Sequence, residues 1–84
     1  MIANLDAKKQ VQEVDIHGME AWEAKYYLER LLVNIKPNVK EVIVIHGYHR
    51  GNSLMNVVRN ELKSKKIKRR FISLNPGITS LILN

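Results

Sequence analysis

The sequence predicts an α/β fold, a two-layer sandwich in which two helices cover one face of a mixed four-stranded sheet. Three observations lead to this prediction. A chain of 84 residues has the length of one domain. Short apolar runs, typical of strands, alternate with two longer segments of helical spacing. The turn signal Asn75-Pro76-Gly77 then separates two final strands, which gives the element order βαβαββ.

The first part of the chain contains an arm, a strand and a helix. Residues 1–12 are polar and weakly patterned, so we expect an N-terminal arm before a domain that covers residues 13–84. The first strand is predicted at 13–17. The first helix is predicted at 19–35, where apolar residues recur at steps of three and four. Its aromatic residues are expected to pack the helix against the rest of the fold: Trp22, Tyr26 and Tyr27.

The second half is predicted to add one helix and three strands. The second strand, at 41–46, is apolar without alternation, as in a strand covered on both faces. A helix is expected at 53–65, and the last two strands at 68–74 and 79–84. Crossover helices make the first three strands parallel, and the short turn makes the fourth antiparallel to the third. If the strands progress in one direction across the sheet, both helices lie on one face. The opposite face of the sheet would be apolar. We expect it to be covered by the N-terminal arm or by a second copy of the chain, which would make a homodimer possible.

Composition excludes several classes of protein. The chain has no cysteine, which rules out a disulfide scaffold and a thiolate metal site and fits a cytoplasmic location. No apolar run approaches the ~20 residues of a membrane helix, and the N-terminus has no signal-peptide core. We therefore expect a cytoplasmic domain without a membrane partner.

Charge is distributed unevenly along the chain. Residues 1–49 hold six basic and seven acidic side chains, whereas residues 50–84 hold eight basic side chains and one acid. A one-sided positive field indicates a polyanionic partner, nucleic acid first, although a solvated basic surface is the simpler alternative. The residues expected to follow a nucleic-acid backbone are Arg59, Lys63, Lys66, Lys68, Arg69 and Arg70.

The dipeptide His-Gly occurs twice, each time at the end of an apolar run. The first run is Val14-Asp15-Ile16-His17-Gly18, and the second is Ile43-Val44-Ile45-His46-Gly47. The carboxyl ends of parallel strands lie at one edge of a sheet, where α/β folds bind ligands. Asp15 and His17 are two residues apart, so they leave a strand on the same side. A carboxylate that orients an imidazole suits proton transfer near neutral pH.

The segment after the second strand has the composition of a phosphate-binding loop. Glycine allows close backbone approach, a helix N-terminus attracts anions, arginine binds phosphate at two points and tyrosine stacks on bases. Together with Gly18, the expected phosphate- or nucleic-acid-binding residues here are Gly47, Tyr48, His49, Arg50, Gly51 and Asn52.

Simpler interpretations of these residues stay open. Asp15 could be a helix cap or a turn residue, and a histidine at a strand end is often structural. A divalent-metal site built from Asp15, His17, His46 and His49 is a further alternative, because histidine and carboxylate sets suit zinc or manganese. No short-range metal motif is present.

At these residues the chain resembles the Smr (small MutS-related) domain. The family has a Leu-Asp-Leu-His-Gly type motif, here residues 14–18, and a His-Gly-x-Gly type motif, here beginning at His46. The second motif departs from the family pattern, because His49 stands where the second glycine is expected and glycine follows at Gly51. The resemblance implies a fold similar to the C-terminal domain of translation initiation factor three. It also implies nucleic-acid binding and endonuclease activity.

The resemblance and the residues together give two functional hypotheses. The first is an endonuclease acting on DNA or RNA, with Asp15, His17 and His46 as catalytic residues and no required cofactor, although a divalent metal is possible. The second is a non-catalytic module that binds RNA or the ribosome. Family members nick DNA with MutS-like proteins or cut messenger RNA at stalled ribosomes. A MutS-like protein or the ribosome is therefore a possible partner.

Overall fold

The computed structural model describes residues 10–48 and 51–84. In these residues, the order of strands and helices is the predicted one. The second helix, α2, starts with an α-helical turn over Ser53–Asn56 and continues as a π-helical turn over Val57–Glu61. None of the helices in this part of the chain is long and apolar enough to cross a membrane. The other elements are β1 (Val11–Asp15), α1 (Ala21–Asn34), β2 (Glu41–Ile45), β3 (Ile67–Ile72) and β4 (Ile78–Leu83).

The fold class is the predicted one, but the order of the strands is not the simple progression. The four strands form one mixed sheet in the order β1-β2-β4-β3. β2 is parallel to β1 and antiparallel to β4, and β4 is antiparallel to β3. The directions of all four strands are therefore as predicted. The three parallel strands progress in one direction across the sheet, and β4 is inserted between β2 and β3. Both helices therefore lie on one face, as predicted.

The predicted ends of several elements also need correction. β1 begins at Val11, inside the segment predicted as an arm, and residues 1–9 lie outside the described part of the chain. α2 stops at Glu61 instead of continuing to residue 65. β3 also ends earlier than predicted, at Ile72.

One face of the sheet carries the core. Alternate residues on β1, β2 and β4 point toward the two helices, and α1 covers them with its row of Ala24, Leu28 and Leu32, all fully buried. Burying one such leucine contributes about 1.5–3 kcal/mol to folding. The strand residues of this core are Val14, Val42, Val44, Leu81 and Leu83.

The other face of the sheet has an apolar, partly exposed centre. Phe71 on the outer strand β3 is 57% exposed, and Val11 on the opposite edge is 43% exposed. Between them lie half-buried isoleucines of β2 and β4. The sequence predicted that this face would stay apolar. Its screening by the arm or by a second copy stays a prediction, because residues 1–9 are outside the described part of the chain.

Arg70 caps the C-terminal end of α2 with its side chain. The Leu62 amide donates to the Val57 carbonyl at 2.7 Å, and the Lys63 amide donates to the Glu29 carboxylate at 3.1 Å. The last carbonyls of a helix have no intrahelical donor. The Arg70 guanidinium supplies one, because its Nε donates to the Val58 carbonyl at 2.7 Å and its second nitrogen to the Leu62 carbonyl.

The aromatic residues of α1 do not pack as predicted. Trp22 is 71% exposed, Tyr26 is 62% exposed and Tyr27 is 43% exposed. The prediction was wrong because the helix already has an aliphatic stripe, Ala24, Leu28 and Leu32, facing the sheet. Trp22 and Tyr26 are on the opposite side of the helix, four residues apart.

Candidate active site at the ends of β1 and β2

Asp15 holds both the backbone and the side chain of His17. The Asp15 Oδ1 atom accepts a hydrogen bond from the His17 amide at 3.0 Å and lies 2.6 Å from the His17 Nδ1 atom. A carboxylate accepts, so Nδ1 must carry the hydrogen and Nε2 is the ring nitrogen left to face a substrate. The His17 side chain is 71% exposed, which makes that nitrogen accessible.

This geometry decides the charge of Asp15. The hydrogen bond from the His17 side chain, and then that from its amide, hold the pKa of Asp15 below its ordinary value of 3.8. The carboxylate is therefore ionised at neutral pH beside the imidazole. The interpretation of Asp15 as a turn residue also holds, since the bond to the His17 amide spans two residues. The α1 cap is Glu20, whose amide donates to Glu23 at 3.3 Å.

Gly47 and Gly77 bring two loops into contact beside His17. The Gly77 carbonyl accepts from the Gly47 amide at 3.0 Å. A Cβ atom on Gly77 would lie 3.3 Å from the Gly47 Cα, closer than most side chains come to a backbone. Gly47 itself has φ of +74°, in the left-handed region that favours glycine. The Asn75 side chain fixes the second loop by accepting from the Gly77 amide at 2.9 Å.

His46 lies at the bottom of the site in a directed chain of hydrogen bonds. Its Nδ1 is 2.8 Å from the Gly47 carbonyl, which accepts, so Nδ1 carries the hydrogen. Its Nε2 therefore accepts from the Thr79 hydroxyl at 2.9 Å. The same hydroxyl oxygen accepts from the Arg59 Nε at 2.8 Å. His46 is 3% exposed, and both of its ring nitrogens are bonded.

The surroundings of His46 favour its neutral form. Burial lowers its pKa below the ordinary value of 6.5, the nearby Arg59 charge lowers it further, and the bond to the Gly47 carbonyl acts in the opposite direction. Protonation would make Nε2 a donor, so the Thr79 hydroxyl would have to reorient. His46 is thus suited to fixing the loop after β2.

We expect this histidine to make stability depend on pH. The pKa of His46 is lower in the folded chain than in the unfolded chain, so the unfolded chain binds more protons below pH 6.5. Neutral His46 therefore contributes fully to the free energy of unfolding above that pH, and this contribution is lost as pH falls. Urea unfolding between pH 5 and pH 8 should show stability rising with pH, and His46→Gln should flatten the rise. Asp15 contributes in a separate window below pH 3.8. If stability rises equally with pH in the native chain and in His46→Gln, His46 is not the source of the pH dependence.

A cleft of about 680 Å³ opens between the loops that follow β1 and β2. Its size suits a small ligand or one unit of a polymer. Six of the predicted site residues line it directly, together with the first residues of both helices. The described lining residues are His17, Gly18, Met19, Glu20, Ala21, His46, Gly47, Tyr48, Gly51, Ser53 and Leu54.

The remaining predicted site residues are placed in three ways. Asp15 is beside the cleft and reaches it through His17. Asn52 precedes α2, and its carbonyl accepts from the Asn56 amide at 2.8 Å. His49 and Arg50 lie outside the described residues, so their proposed phosphate contacts stay predictions.

The predicted basic surface divides into structural and exposed side chains. Arg59 and Arg70 are half-buried and bonded inside the fold, to the Thr79 hydroxyl and to the end of α2. Lys66 is exposed, and its Nζ donates to the Val33 carbonyl at 3.1 Å. The other basic residues of this surface are exposed: Lys63, Lys68 and Arg69.

The described residues form no group of three histidine, aspartate or glutamate side chains that could hold a metal ion. His49, one of the four residues of the metal hypothesis, lies outside this part of the chain. The arrangement offers one carboxylate–imidazole pair and the N-terminus of α2, which has no side-chain cap, a combination suited to an anionic substrate.

Sequence reasoning missed Thr79 and the role of Gly77. Thr79 is fully buried on β4 and connects His46 to Arg59. Its polarity, beside Ser80 in a strand whose other residues are apolar, was the available signal. Gly77 was read as a turn residue, but its contact with Gly47 depends on β4 lying next to β2.

Comparisons with known proteins agree with this fold. The family model of the Smr domain matches residues 14–77, from the strand before His17 to the turn at Gly77. Because this is most of the chain, the protein belongs to the Smr domain family, whose fold is one that binds nucleic acid.

A solved structure gives an independent view of the fold. The crystal structure of the Smr domain of Thermus thermophilus MutS2 is similar, with a TM-score of 0.76 and 20% sequence identity. The match covers 87% of this chain and 98% of that domain. No curated protein gives a significant match to the sequence. The resemblance stated from the sequence is confirmed, and so is the fold class.

Proposed function

We propose that this domain binds nucleic acid and cleaves its phosphodiester bonds. The observation that carries the proposal is the Asp15–His17 pair beside the cleft. The imidazole is 71% exposed and its Nδ1 is held by a carboxylate, which leaves Nε2 to take a proton from a substrate. General acid–base catalysis by such a side chain contributes about 10²–10⁴-fold to a rate.

RNA is the substrate that fits this chemistry most directly. The His17 Nε2 removes the proton from a 2′-hydroxyl, whose oxygen attacks the adjacent phosphorus. The bond from phosphorus to the 5′ oxygen breaks, and solvent water protonates that oxygen. His17 then returns its proton to solvent. Asp15 stabilises the imidazolium that forms in between, because its carboxylate stays ionised at neutral pH. DNA would need a bound water as the nucleophile.

The two loops supply the phosphate site. Ser53 begins α2 at the edge of the cleft, and the first amides of a helix have no intrahelical acceptor, which favours an anion. Arg50 in the adjoining loop is proposed to contact the same phosphate. Amides aimed at a developing negative charge stabilise the transition state.

His46 is proposed to act through the backbone instead of on the substrate. Its buried ring is bonded to the Gly47 carbonyl and to Thr79, so it fixes the loop that lines the cleft. The sequence predicted His46 as a catalytic residue, and this proposal makes it a positioning residue of the same site.

Exposed basic residues would hold the remainder of the strand. Contacts from Lys63, Lys68 and Arg69 to phosphates position a nucleic acid without reading its sequence. Such binding weakens with salt, with a slope of log K against log salt of about −0.7 per phosphate contact for single strands and −0.9 for duplex DNA.

The test is cleavage and binding of end-labelled RNA and DNA by the whole chain, with and without EDTA. We expect salt-dependent binding, and RNA cleavage that continues in EDTA and leaves 2′,3′-cyclic phosphate ends. Salt-dependent binding without cleavage of either polymer would favour the non-catalytic module. Cleavage that EDTA abolishes would overturn the metal-free mechanism.

A further inference from the structure

Helix α1 carries an exposed row of aromatic and basic side chains on the side away from the sheet. Trp22 and Tyr26 are 71% and 62% exposed, and Arg30 continues the row at the same four-residue step. The Arg30 guanidinium carbon lies 5.8 Å from the centre of the Tyr26 ring, and its Nη1 donates to the Tyr26 hydroxyl at 3.4 Å. This contact holds the tyrosine ring in place at the surface.

The row does not serve the core of the described fold. The aliphatic stripe of α1 is fully buried against the sheet, and it is complete without an aromatic residue. Tryptophan has more apolar surface to bury than most residues and is strongly buried on average, so an indole left 71% exposed is unusual. Its position is therefore better explained by a ligand than by folding.

The row connects the cleft to the basic segment of the chain. At its start, Trp22 follows Glu20 and Ala21, which line the cleft. At its far end, the Lys66 ammonium donates to the Val33 carbonyl at 3.1 Å. Between these points the Lys63 amide donates to Glu29 at 3.1 Å, so residues 63–66 lie alongside the helix.

We propose that Trp22 and Tyr26 form a stacking platform for the unpaired bases of a single-stranded nucleic acid that enters the cleft. This inference rests on the proposed function and names its substrate class. Four residues of helix place the two rings about 6 Å apart along its axis, at 1.5 Å per residue. Stacked bases in a duplex are ~3.4 Å apart, so this spacing suits bases that have separated from each other.

The charges beside the row favour nucleic acid over a protein partner. Lys63, Lys65 and Lys66 are exposed on one flank, and Lys25 lies 3.1 Å from Glu29 and offsets its charge. Exposed aromatic rings that alternate with a positively charged track are typical of single-strand binding, in which rings stack on bases and lysines contact phosphates. Glu20 and Glu23 at the start of the helix repel phosphates, so the proposal places bases against this end of the helix and phosphates beside the lysines.

The chain provides its own reporter for the test. Trp22 is its one tryptophan, so intrinsic fluorescence reports on this ring alone. We expect a single-stranded 12-mer of RNA to quench and shift the emission, and a duplex of the same length to change it much less. Trp22→Ala and Tyr26→Ala should each weaken single-strand binding by about 5- to 150-fold, the equivalent of ~1–3 kcal/mol per stacked base. Trp22→Phe should restore most of it.

Two variants on the same helix serve as controls. Val33→Ala removes apolar surface from an equally exposed position, 70% exposed, without removing a ring, and Tyr27→Ala removes a ring from the side of the row. Both should leave single-strand binding unchanged. If the Trp22→Ala and Tyr26→Ala variants bind and cleave as the native chain does, the proposal of a stacking platform is wrong and the proposed function is unaffected. A protein partner then becomes the better candidate for binding the exposed row. Failure of the native chain to bind any nucleic acid would overturn both proposals.

Discussion

Replacement of Asp15 by asparagine is expected to lower cleavage about 10²–10⁴-fold while nucleic-acid binding changes little. The asparagine oxygen can still accept from the His17 amide and ring, as Asp15 does at 3.0 and 2.6 Å. It carries no charge, so it no longer stabilises the imidazolium formed when His17 takes a proton. Initial rates on labelled RNA at saturating protein measure the loss. His17→Ala should lose as much, and the double variant should lose little more, since the two residues act as a unit.

Glu13→Gln is the matched control for this variant. Glu13 lies two residues before Asp15 on the same strand, is also exposed and leaves the strand on the same side. Its substitution removes the same charge at a short distance from the site, so cleavage should stay within twofold of the native rate. Equal losses for Glu13→Gln and Asp15→Asn would mean that general electrostatics, and not the pair with His17, governs the rate. Cleavage that persists without His17 would remove the proposed mechanism.

Substitutions of two neighbouring arginines are expected to have opposite effects, one on stability and the other on nucleic-acid binding. Arg70→Ala should lower the free energy of unfolding by about 1.5–3 kcal/mol, because it leaves the Val58 and Leu62 carbonyls at the end of α2 without their charged donor. Arg69→Ala, one residue earlier on β3 and exposed, should change stability by less than ~0.5 kcal/mol. Urea unfolding monitored by circular dichroism measures both.

For nucleic-acid binding, we expect Arg69→Ala to have the larger effect and Arg70→Ala the smaller one. If Arg69 contacts a phosphate, its removal weakens binding to all sequences and reduces the salt slope by about 1. Arg70→Ala, measured at a temperature where it is folded, should keep the native slope. A large loss of stability in Arg69→Ala, or none in Arg70→Ala, would show that the two roles are assigned wrongly.

Most of the fold and part of the site were predictable from local signals. Apolar runs and helical spacing gave the six elements and their order, and the two His-Gly motifs gave the loops that line the cleft. The direction of every strand followed from connection length. The His17 environment was also predictable, because Asp15 is two residues away and a strand places both side chains on one side.

Other features of the site depend on contacts between residues that are distant in sequence. The connection from His46 to Thr79 spans 33 residues and exists because β4 pairs with β2. The same pairing brings Gly77 against Gly47. A strand that follows a tight turn is expected beside its predecessor, but not between that predecessor and an earlier strand. Local sequence patterns do not indicate that β4 pairs with β2 as well as with β3.

What the sequence by itself determined is the fold class and the family, and it predicted the edge of the sheet at which the candidate site lies, because these follow from periodicity and from motifs within single elements. The tertiary structure decided which basic residues stay exposed, how His46 is bonded and that Trp22 faces solvent. These depend on what packs opposite each side chain. Arg69 and Arg70 are adjacent in sequence, yet one is exposed while the other is bonded to α2, because alternate residues of a strand face opposite sides of the sheet.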